Sequence, residues 1–329
     1  MTPPSPLTVA VTGPTGTFGF GLMPLLQSDD RIGSVVGIAR REFDPTEHGW
    51  SKMAYRRGDV RDEGALKEAF AGADVVVHLA FIIVGGGREL TREINVDGTL
   101  NAFRAAAAAG VKRFVYASSV AAYGFHDDNP VGMKETWPVR PADRLFYAQE
   151  KAELEALLQQ EAAEHPELEL YLLRPPVVLG PHTIGGKQIL PGPLAPLSRR
   201  LRLRKLPVPI PTVVPAVPLQ LIHEDDVGSA LLQCVVAAGP PGAYNIAADD
   251  VVTAVQVARE LGFVPLSLPA GVAYTPARAL SKLPFLPQQA EWVEAFSHPA
   301  VMDTSKAKKE LGWTPRFSAL EAVRATLTG

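Results

Sequence analysis

Thr12-Gly13-Pro14-Thr15-Gly16-Thr17-Phe18-Gly19 decides the fold of this chain, because it follows a β-branched run directly and opens a helical pattern. In that position Gly13 permits a tight turn, Gly16 lets the backbone come close to a pyrophosphate, and Gly19 lets the helix pack near the strand. The free N–H groups at the start of the helix can then bind phosphates. The motif predicts a dinucleotide site with contacts from Gly13, Thr15, Gly16, Thr17, Phe18 and Gly19.

The rest of the first half alternates short apolar runs with helical patterns. Strands are predicted at 8–12, 34–39, 54–57, 74–79, 113–118 and 169–173, and helices near 18–27, 62–70, 91–109 and 143–163. Strands that alternate with helices form right-handed crossovers and a parallel sheet. The strands are apolar throughout, as expected when helices cover both faces. We therefore predict an α/β fold with a doubly wound, Rossmann-type parallel sheet.

The pattern changes after residue 174, where proline and glycine become frequent. A helix is predicted at 226–238, a short strand at 243–246, and helices near 253–261 and 303–311. We interpret residues 1–174 as the dinucleotide-binding domain, to which 219–246 return. Residues 175–329 are then mainly a smaller, irregular C-terminal lobe that binds substrate.

Composition excludes several classes of protein. The chain has 329 residues, of which 47% are hydrophobic and 20% charged, with a net charge of −3. This charge gives no basic field for nucleic acid or an acidic membrane. The one cysteine, Cys234, excludes an intramolecular disulfide and a cysteine-built metal site. Without a membrane-spanning stretch or a signal peptide pattern, a cytoplasmic location with no membrane partner is expected. No metal is expected either, because His78, His126 and His223 stand in contexts that fit strand-end and loop roles.

The end of the second predicted strand indicates the cofactor. NAD binding usually needs a carboxylate there for the ribose 2′-hydroxyl. This sequence instead has Arg40 and Arg41, whose guanidinium groups match a 2′-phosphate in charge and geometry. We expect NADP to be preferred, with NAD still allowed because Glu42 could turn inward. Asp59, at the end of the third strand and next to Val60, can accept a hydrogen bond from an adenine amino group.

A series of further motifs follows the glycine loop over nearly the whole chain. They are Gly58-Asp59-x-x-Asp62, His78-Leu79-Ala80, Asn95-Val96-Asp97-Gly98-Thr99, Ala117-Ser118-Ser119, Tyr147-x-x-x-Lys151, Leu173-Arg174-Pro175, His223-Glu224-Asp225-Asp226, Tyr244-Asn245-Ile246 and Leu311-Gly312-Trp313. In their order and spacing they resemble the extended short-chain dehydrogenase/reductases, also called the NAD-dependent epimerase/dehydratase family, and together they make the resemblance specific.

Tyr147 and Lys151 form a plausible acid/base pair on physical grounds. Residues four apart lie on one face of a helix. A phenol has a pKa of about 10. A nearby ammonium and an oxidised nicotinamide would both lower that pKa. The phenol could then exchange a proton with an alcohol while hydride moves. The resemblance implies that Lys151 also binds the nicotinamide ribose and that Ser119 holds the substrate carbonyl oxygen.

The predicted ligand contacts all fall at one edge of the sheet. Each follows the C-terminal end of a predicted strand, and ligands of open α/β sheets bind along that edge. Besides the glycine loop and the pair of Tyr147 and Lys151, the predicted cofactor contacts are Arg40, Arg41, Asp59, Val60, Leu79, Ala80, Arg174 and Pro175.

Two residues that follow Ser119 reduce the number of reactions that the family resemblance allows. Related 4,6-dehydratases carry an Asp-Glu pair there, and elimination needs that extra acid and base. Val120 and Ala121 cannot move protons, so a dehydratase is disfavoured. The remaining hypotheses are an NAD(P)-dependent oxidoreductase acting on a carbonyl or alcohol, and an NAD-dependent nucleotide-sugar epimerase with a transient keto intermediate. A non-catalytic dinucleotide-sensing protein is the alternative from another class.

The substrate is less well indicated by the sequence. Arg199 and Arg200 begin a run with five cations in seven residues, which could bind the diphosphate of a nucleotide sugar or form a solvated face. Ser118 and Tyr123 are further candidate substrate contacts. A small carbonyl compound or a nucleotide sugar is the expected partner, and the resemblance also allows a homodimer.

Overall fold

A computed structural model describes residues 5–83, 87–143, 145–183, 210–215, 217–268 and 298–328 of the chain. The strands, in chain order, are β1 (Leu7–Thr12), β2 (Ile32–Ala39), β3 (Met53–Arg57), β4 (Val75–His78), β5 (Arg113–Ala117), β6 (Glu169–Arg174), β7 (Val177–Leu179), β8 (Ile210–Pro215), β9 (Pro218–Leu219), β10 (Leu221–His223), β11 (Gly242–Asn245), β12 (Val252–Thr253) and β13 (Phe263–Leu268).

The helices surround these strands. They are α1 (Thr17–Ser28), α2 (Glu63–Phe70), α3 (Gly87–Arg92), α4 (Gly98–Ala108), α5 (Phe146–Glu164), α6 (Glu224–Val235), α7 (Ala254–Glu260), α8 (Ser305–Glu310) and α9 (Ala319–Thr328). A π-helical turn, Glu93–Asp97, joins α3 to α4, so the single helix predicted at 91–109 has an irregular start. In the described part of the chain, no helix is both long and apolar enough to cross a bilayer.

The central sheet confirms the predicted fold class. Within the described ranges it has seven strands in the order β3-β2-β1-β4-β5-β6-β11, and every pair is parallel. The order reverses direction beside β1, which is the switch point where doubly wound sheets bind ligands. The strand predicted at 243–246 is β11, and it lies at the sheet edge beside β6.

Helices cover both faces of the sheet, which explains why its strands are apolar throughout. Val9 and Val11 of β1 belong to the core beneath α1 and α6, whereas Ala10 belongs to the core beneath α2, α4 and α5. The same alternation along β5 turns Val115 to the first face and Tyr116 to the second. Residues of β5 can therefore reach α5, which carries two of the candidate catalytic side chains.

Two glycines allow α1 and α6 to approach closely. A Cβ atom on Gly21 would lie 2.1 Å from the carbonyl oxygen of Glu224, and one on Gly228 would lie 2.1 Å from the carbonyl oxygen of Gly21. Any larger side chain at either position would push the helices apart. The helix that follows the glycine loop is thus packed directly against a helix from the C-terminal half of the chain.

Apart from β11, the strands that follow β6 in the described residues form small two-stranded sheets outside the central one. β7 pairs with β10, β9 with β12, and β8 with β13. A separate apolar cluster links Leu179 and Leu221 to Ala322 and Val323 of α9. The sequence analysis did not identify α9 or these short strands. The run that begins at Arg199 and Arg200 lies outside the described residues.

Candidate active site

The loop between β1 and α1 has the shape that its glycines predict. Gly13 has a positive φ of +68°, and a Cβ atom there would lie 2.9 Å from the backbone nitrogen of Ala80. A Cβ atom on Gly19 would lie 2.0 Å from the carbonyl oxygen of Pro14, so the loop folds back against the first turn of α1. Glycine alone fits these two positions without displacing backbone.

The start of α1 fits a pyrophosphate. Gly16 is the N-cap of the helix, and no side chain forms a capping hydrogen bond there. The first N–H groups of a helix have no partner within it and can bind an anion. A Cβ atom on Gly16 would have its nearest contact at 3.5 Å, with the carbonyl oxygen of Gly13. Thr15, Thr17 and Phe18 are partly buried around this turn, and the set can hold a dinucleotide.

His182 is a neighbour of this loop that the sequence analysis did not identify. Its carbonyl oxygen accepts a hydrogen bond from Thr17 Oγ1 at 3.2 Å, and its ring stacks on Phe20 with centroids 4.2 Å apart. Its Nδ1 lies 2.6 Å from Oε1 of the buried Glu224. No sequence motif marks this contact, because it joins residues that are 165 positions apart.

Arg40 and Arg41 are exposed at the end of β2. Among the described residues, neither guanidinium forms an ion pair with a carboxylate. Glu42 does not turn inward as the alternative required, because its Oε1 lies 3.4 Å from Nη1 of Arg57. Two exposed arginines thus stand at the end of β2.

Asp59 and Val60 follow β3 and have different environments. Both carboxylate oxygens of Asp59 accept hydrogen bonds from Arg61, at 3.1 and 2.9 Å, and this pairing lowers the pKa of Asp59. The Val60 side chain is buried, and a Cβ atom on Gly98 of α4 would lie 2.4 Å from its Cγ2. Val60 therefore packs beneath α4, and its side chain is less accessible to a cofactor than the prediction requires.

Leu79 and Ala80 line the edge between β4 and the glycine loop. The Leu79 N–H donates to the Thr12 carbonyl oxygen at 3.0 Å, and the Ala80 N–H donates to Thr12 Oγ1 at 3.3 Å. Pro175 follows β6, and its carbonyl oxygen accepts from the Val120 N–H at 2.9 Å. These contacts bring the predicted strand-end residues to one edge, next to the catalytic candidates.

Ser119, Tyr147 and Lys151 come together at this edge. Ser119 begins a short 3-10 turn after β5 and accepts from the Ala121 N–H at 3.2 Å. Tyr147, near the start of α5, is partly buried and hydrogen-bonded to Ser119. Lys151 lies one helical turn further along α5, with its Nζ 5.9 Å from the centroid of the Tyr147 ring.

Burial shifts the pKa values of both members of the pair. Burial raises the pKa of Tyr147 to about 12, although the hydrogen bond with Ser119 opposes this rise. Burial also lowers the pKa of Lys151 to about 7, against the attraction of Glu155 and Glu150. The predicted lowering of the phenol pKa requires the ammonium and an oxidised nicotinamide together and stays a prediction, because in the protein alone burial outweighs the hydrogen bond with Ser119. The site holds a neutral phenol beside an amine that titrates near neutral pH.

Three predicted ligand contacts belong to a buried polar network instead. The Arg174 guanidinium donates to Glu155, with Nε–Oε1 at 2.9 Å and Nη2–Oε2 at 2.5 Å. Ser118 Oγ donates to Glu155 at 2.5 Å, and Tyr123 accepts from Arg174 Nη1 at 2.6 Å and donates to Asn245 at 2.8 Å. All of these side chains are buried. The network gives these three side chains partners within the protein, and their ligand contacts stay predictions.

The histidines near the site have structural partners. His78 is buried between Thr12 and Thr99, at 2.9 and 3.0 Å, and burial lowers its pKa to about 3. His126 lies 2.7 Å from the Arg140 carbonyl oxygen, and His223 caps α6. No cluster of potential metal ligands occurs among the residues that the structure covers.

The fold and the arrangement of this edge define a dinucleotide-binding protein of the short-chain dehydrogenase/reductase type. The chain belongs to the NAD dependent epimerase/dehydratase family, whose model matches residues 9–247. One relative, the uncharacterized protein y4nG of Sinorhizobium fredii, is 30% identical over 322 residues, which are 94% of this chain and 75% of that protein.

Solved structures support the same assignment. MoeE5, solved in complex with UDP-glucose and NAD, is 25% identical, with a TM-score of 0.69 over 98% of this chain and 97% of that one. UDP-glucose 4-epimerase of Thermotoga maritima, solved with UDP-glucose, is 21% identical, with a TM-score of 0.73 and 98% of each chain covered. The second likeness concerns the fold alone.

Proposed function

We propose that the protein is an NAD(P)-dependent oxidoreductase that moves a hydride between nicotinamide and a carbonyl or alcohol substrate. The observation that carries this proposal is the cluster of Ser119, Tyr147 and Lys151 at the same sheet edge as the glycine loop. A phenol, a hydroxyl and an amine at this edge are the groups that carbonyl reduction requires from the protein.

Each side chain has a distinct role in this proposal. A bound nicotinamide dinucleotide supplies or accepts the hydride. Tyr147 keeps its proton at neutral pH, since burial raises its pKa to about 12, and it donates that proton to the carbonyl oxygen during reduction. Ser119 donates a hydrogen bond to the same oxygen. The ammonium form of Lys151, which is present at and below a pH of about 7, favours phenolate after the proton has left.

Replacement of Tyr147 by phenylalanine tests the proposal. Tyr147→Phe should lower turnover by about 10²- to 10⁴-fold, the usual contribution of a general acid, while dinucleotide affinity changes little. Oxidation of NADPH or NADH against a panel of carbonyl compounds measures turnover. Tyr171→Phe is the control, because that hydroxyl donates to the Gly239 carbonyl oxygen away from the site. Unchanged turnover in Tyr147→Phe would contradict the acid/base role.

We also propose that NADP is preferred over NAD, although NAD remains the cofactor found with the similar protein MoeE5. The supporting observations are the two exposed arginines at the end of β2, which form no ion pair with any described residue, and the pairing of Glu42 with Arg57. A charge-assisted bond to a phosphate contributes about 1.5 to 3 kcal/mol, which is about 10- to 100-fold in affinity.

Removal of the two arginines tests the cofactor preference. The double change Arg40→Ala and Arg41→Ala should weaken NADPH at least about 10-fold and leave NADH nearly unaffected, as measured by calorimetric titration. Arg56→Ala is a matched control, since Arg56 is also exposed and lies on β3, where it pairs with Glu68. Equal losses for both dinucleotides would count against a 2′-phosphate site.

An NAD-dependent nucleotide-sugar epimerase is the second candidate, favoured by the likeness to MoeE5 with UDP-glucose and NAD. An epimerase returns its hydride and retains NAD, so stoichiometric NAD in purified protein would favour it, with epimerised UDP-glucose as the product to seek by NMR. An empty site that binds NADPH more tightly than NADH favours the reductase. A 4,6-dehydratase stays disfavoured, because Val120 and Ala121 are buried apolar residues beside Ser119.

Several expectations stay predictions. They are the division between a dinucleotide domain and a substrate lobe, the homodimer, the cytoplasmic location and the carbonyl or nucleotide-sugar substrate. A non-catalytic dinucleotide sensor is the alternative that the Tyr147→Phe experiment tests most directly, since such a protein would have no turnover to lose.

A further inference from the structure

The Lys151 ammonium is enclosed by three groups of the protein. Its Nζ donates to the Tyr116 hydroxyl at 3.0 Å and to the Ala117 carbonyl oxygen at 2.7 Å. The third side faces the ring of Phe81, whose centroid is 3.6 Å from Nζ. The side chain is only 3% exposed, so these neighbours replace the water that would otherwise surround the charge.

Phe81 also contacts the other half of the candidate acid/base pair. The rings of Phe81 and Tyr147 meet at 88°, with centroids 5.7 Å apart. One aromatic side chain therefore touches both Tyr147 and Lys151. Phe81 follows Ala80 directly, at the edge where the dinucleotide is proposed to bind, and the motifs of the sequence did not single it out.

The backbone beside Phe81 is held firmly. The Ile82 N–H donates to the Asn95 side-chain oxygen at 2.8 Å, and the Asn95 amide donates back to the Ile82 carbonyl oxygen at 2.9 Å. The same amide donates to Glu150 at 2.8 Å. Asn95 lies in the π-helical turn before α4, which anchors the Phe81 segment to a buried part of the molecule.

The carboxylates near Lys151 are directed to other partners. Glu155 binds Arg174 and Ser118, and Glu150 binds Asn95. From the sheet, the phenol of Tyr116 and the neutral His78 face this region. Within the described part of the chain, no carboxylate forms an ion pair with Lys151. A ring face attracts a cation most strongly when water is excluded, so the Phe81 ring is a principal stabilising contact.

We propose that Phe81 is a positioning residue, whose ring holds the Lys151 ammonium beside Tyr147 and stabilises its charged form in a buried site. This inference rests on the proposed function, in which Lys151 acts on the dinucleotide and on the phenol. Tyr116 and Ala117 fix the direction of the ammonium, and Phe81 closes the remaining side.

The test is a direct titration of Lys151 by NMR of the full-length protein with ¹³C-labelled lysine. Lys151→Arg identifies the signal. Phe81→Leu retains burial but removes the ring face, and should lower the pKa of Lys151 by about one unit. Phe81→Tyr retains the ring, so Lys151 in this variant should titrate as it does in the wild type. Phe125→Leu is the control, because Phe125 packs near Tyr147 in the same small cluster without facing Lys151.

Two outcomes would overturn the inference. One is an unchanged pKa of Lys151 in Phe81→Leu, and the other is a fall in the pKa of Lys151 in Phe81→Tyr that equals the fall in Phe81→Leu. If Phe81→Leu does not fold, Phe81→Met takes its place. Titration of the same samples with NADH and NADPH separates this inference from the proposed function. Failure of the wild type to bind either dinucleotide contradicts the proposed function, and the Lys151 titration still tests whether the ring stabilises the ammonium.

Discussion

Arg174 and Lys151 are two buried cations at the same end of the sheet, and both are 3% exposed. Burial disfavours both charges, but the pKa values of the two groups shift in opposite directions. Glu155 binds the Arg174 guanidinium through two oxygens and raises its pKa above the usual range. Lys151 has a phenol, a carbonyl oxygen and an aromatic ring instead, and its pKa falls to about 7.

This difference separates a structural charge from a titratable one. A guanidinium that meets a carboxylate in a two-point contact cannot lose its proton under any condition in which the protein is folded. An amine without a carboxylate partner can change its charge near neutral pH, which suits a group that acts on a neighbouring phenol. Glu155 lies one helical turn beyond Lys151, yet its carboxylate is committed to Arg174.

The largest effect is expected from removal of the carboxylate. Glu155→Gln leaves the Arg174 charge buried without compensation, and should destabilise the protein by about 3 to 5 kcal/mol. Urea unfolding measures the change. Glu153→Gln is the matched control on the same helix, because Glu153 pairs with Arg92 at the surface and should cost at most about 1 kcal/mol. Equal losses in the two variants would remove the distinction between the buried pair and the exposed one.

A smaller, pH-dependent effect is expected at Lys151. Its pKa is about 7 in the folded protein and 10.5 ordinarily, so between these values the unfolded chain binds more protons. The stability of the wild type relative to Lys151→Met should therefore rise with pH above 7, by about 1 kcal/mol per pH unit at most. Below pH 7 the difference should be constant, with the wild type at its greatest disadvantage.

Urea unfolding of the wild type and of Lys151→Met between pH 6 and 9 measures this effect, provided that both proteins unfold in a single transition. Lys306→Met is the control, since Lys306 donates to the Ala243 carbonyl oxygen and faces the Tyr244 ring at 4.4 Å, but is only half-buried. Two results would contradict the assignment of a titratable amine to Lys151. One is that the stability of the wild type relative to Lys306→Met rises with pH in the same way, and the other is that its stability relative to Lys151→Met does not rise.

The comparison also indicates how far sequence reasoning reaches. The glycine loop, six strands and the approach of Ser119, Tyr147 and Lys151 follow from local patterns and from the parallel order of the strands. The partners that decide the two ionisation states do not follow from them. Tyr116 is 35 positions from Lys151, and Glu155 is 19 from Arg174, so these contacts depend on how β5, β6 and α5 pack.

The side-chain environments that the sequence analysis did not foresee have related physical causes. Arg174, Ser118 and Tyr123 lie in motifs at the correct edge of the sheet, but their side chains point into the interior. A strand end fixes the position of a backbone and not the direction of a side chain. In the second half, strands of two or three residues such as β9 and β10 have too little periodicity to be recognised, and they are defined by their pairing.

The contact between Gly21 and Gly228 has a consequence for how this chain can be divided. Leu22, Met23 and Leu26 on the buried side of α1 share one core with Val227 and Leu231 of α6. A polypeptide cut after β6 would keep every residue of the glycine loop but would expose that apolar surface to water. We therefore expect residues 1–174 to need α6 in order to fold, although α6 lies 50 residues further along the chain.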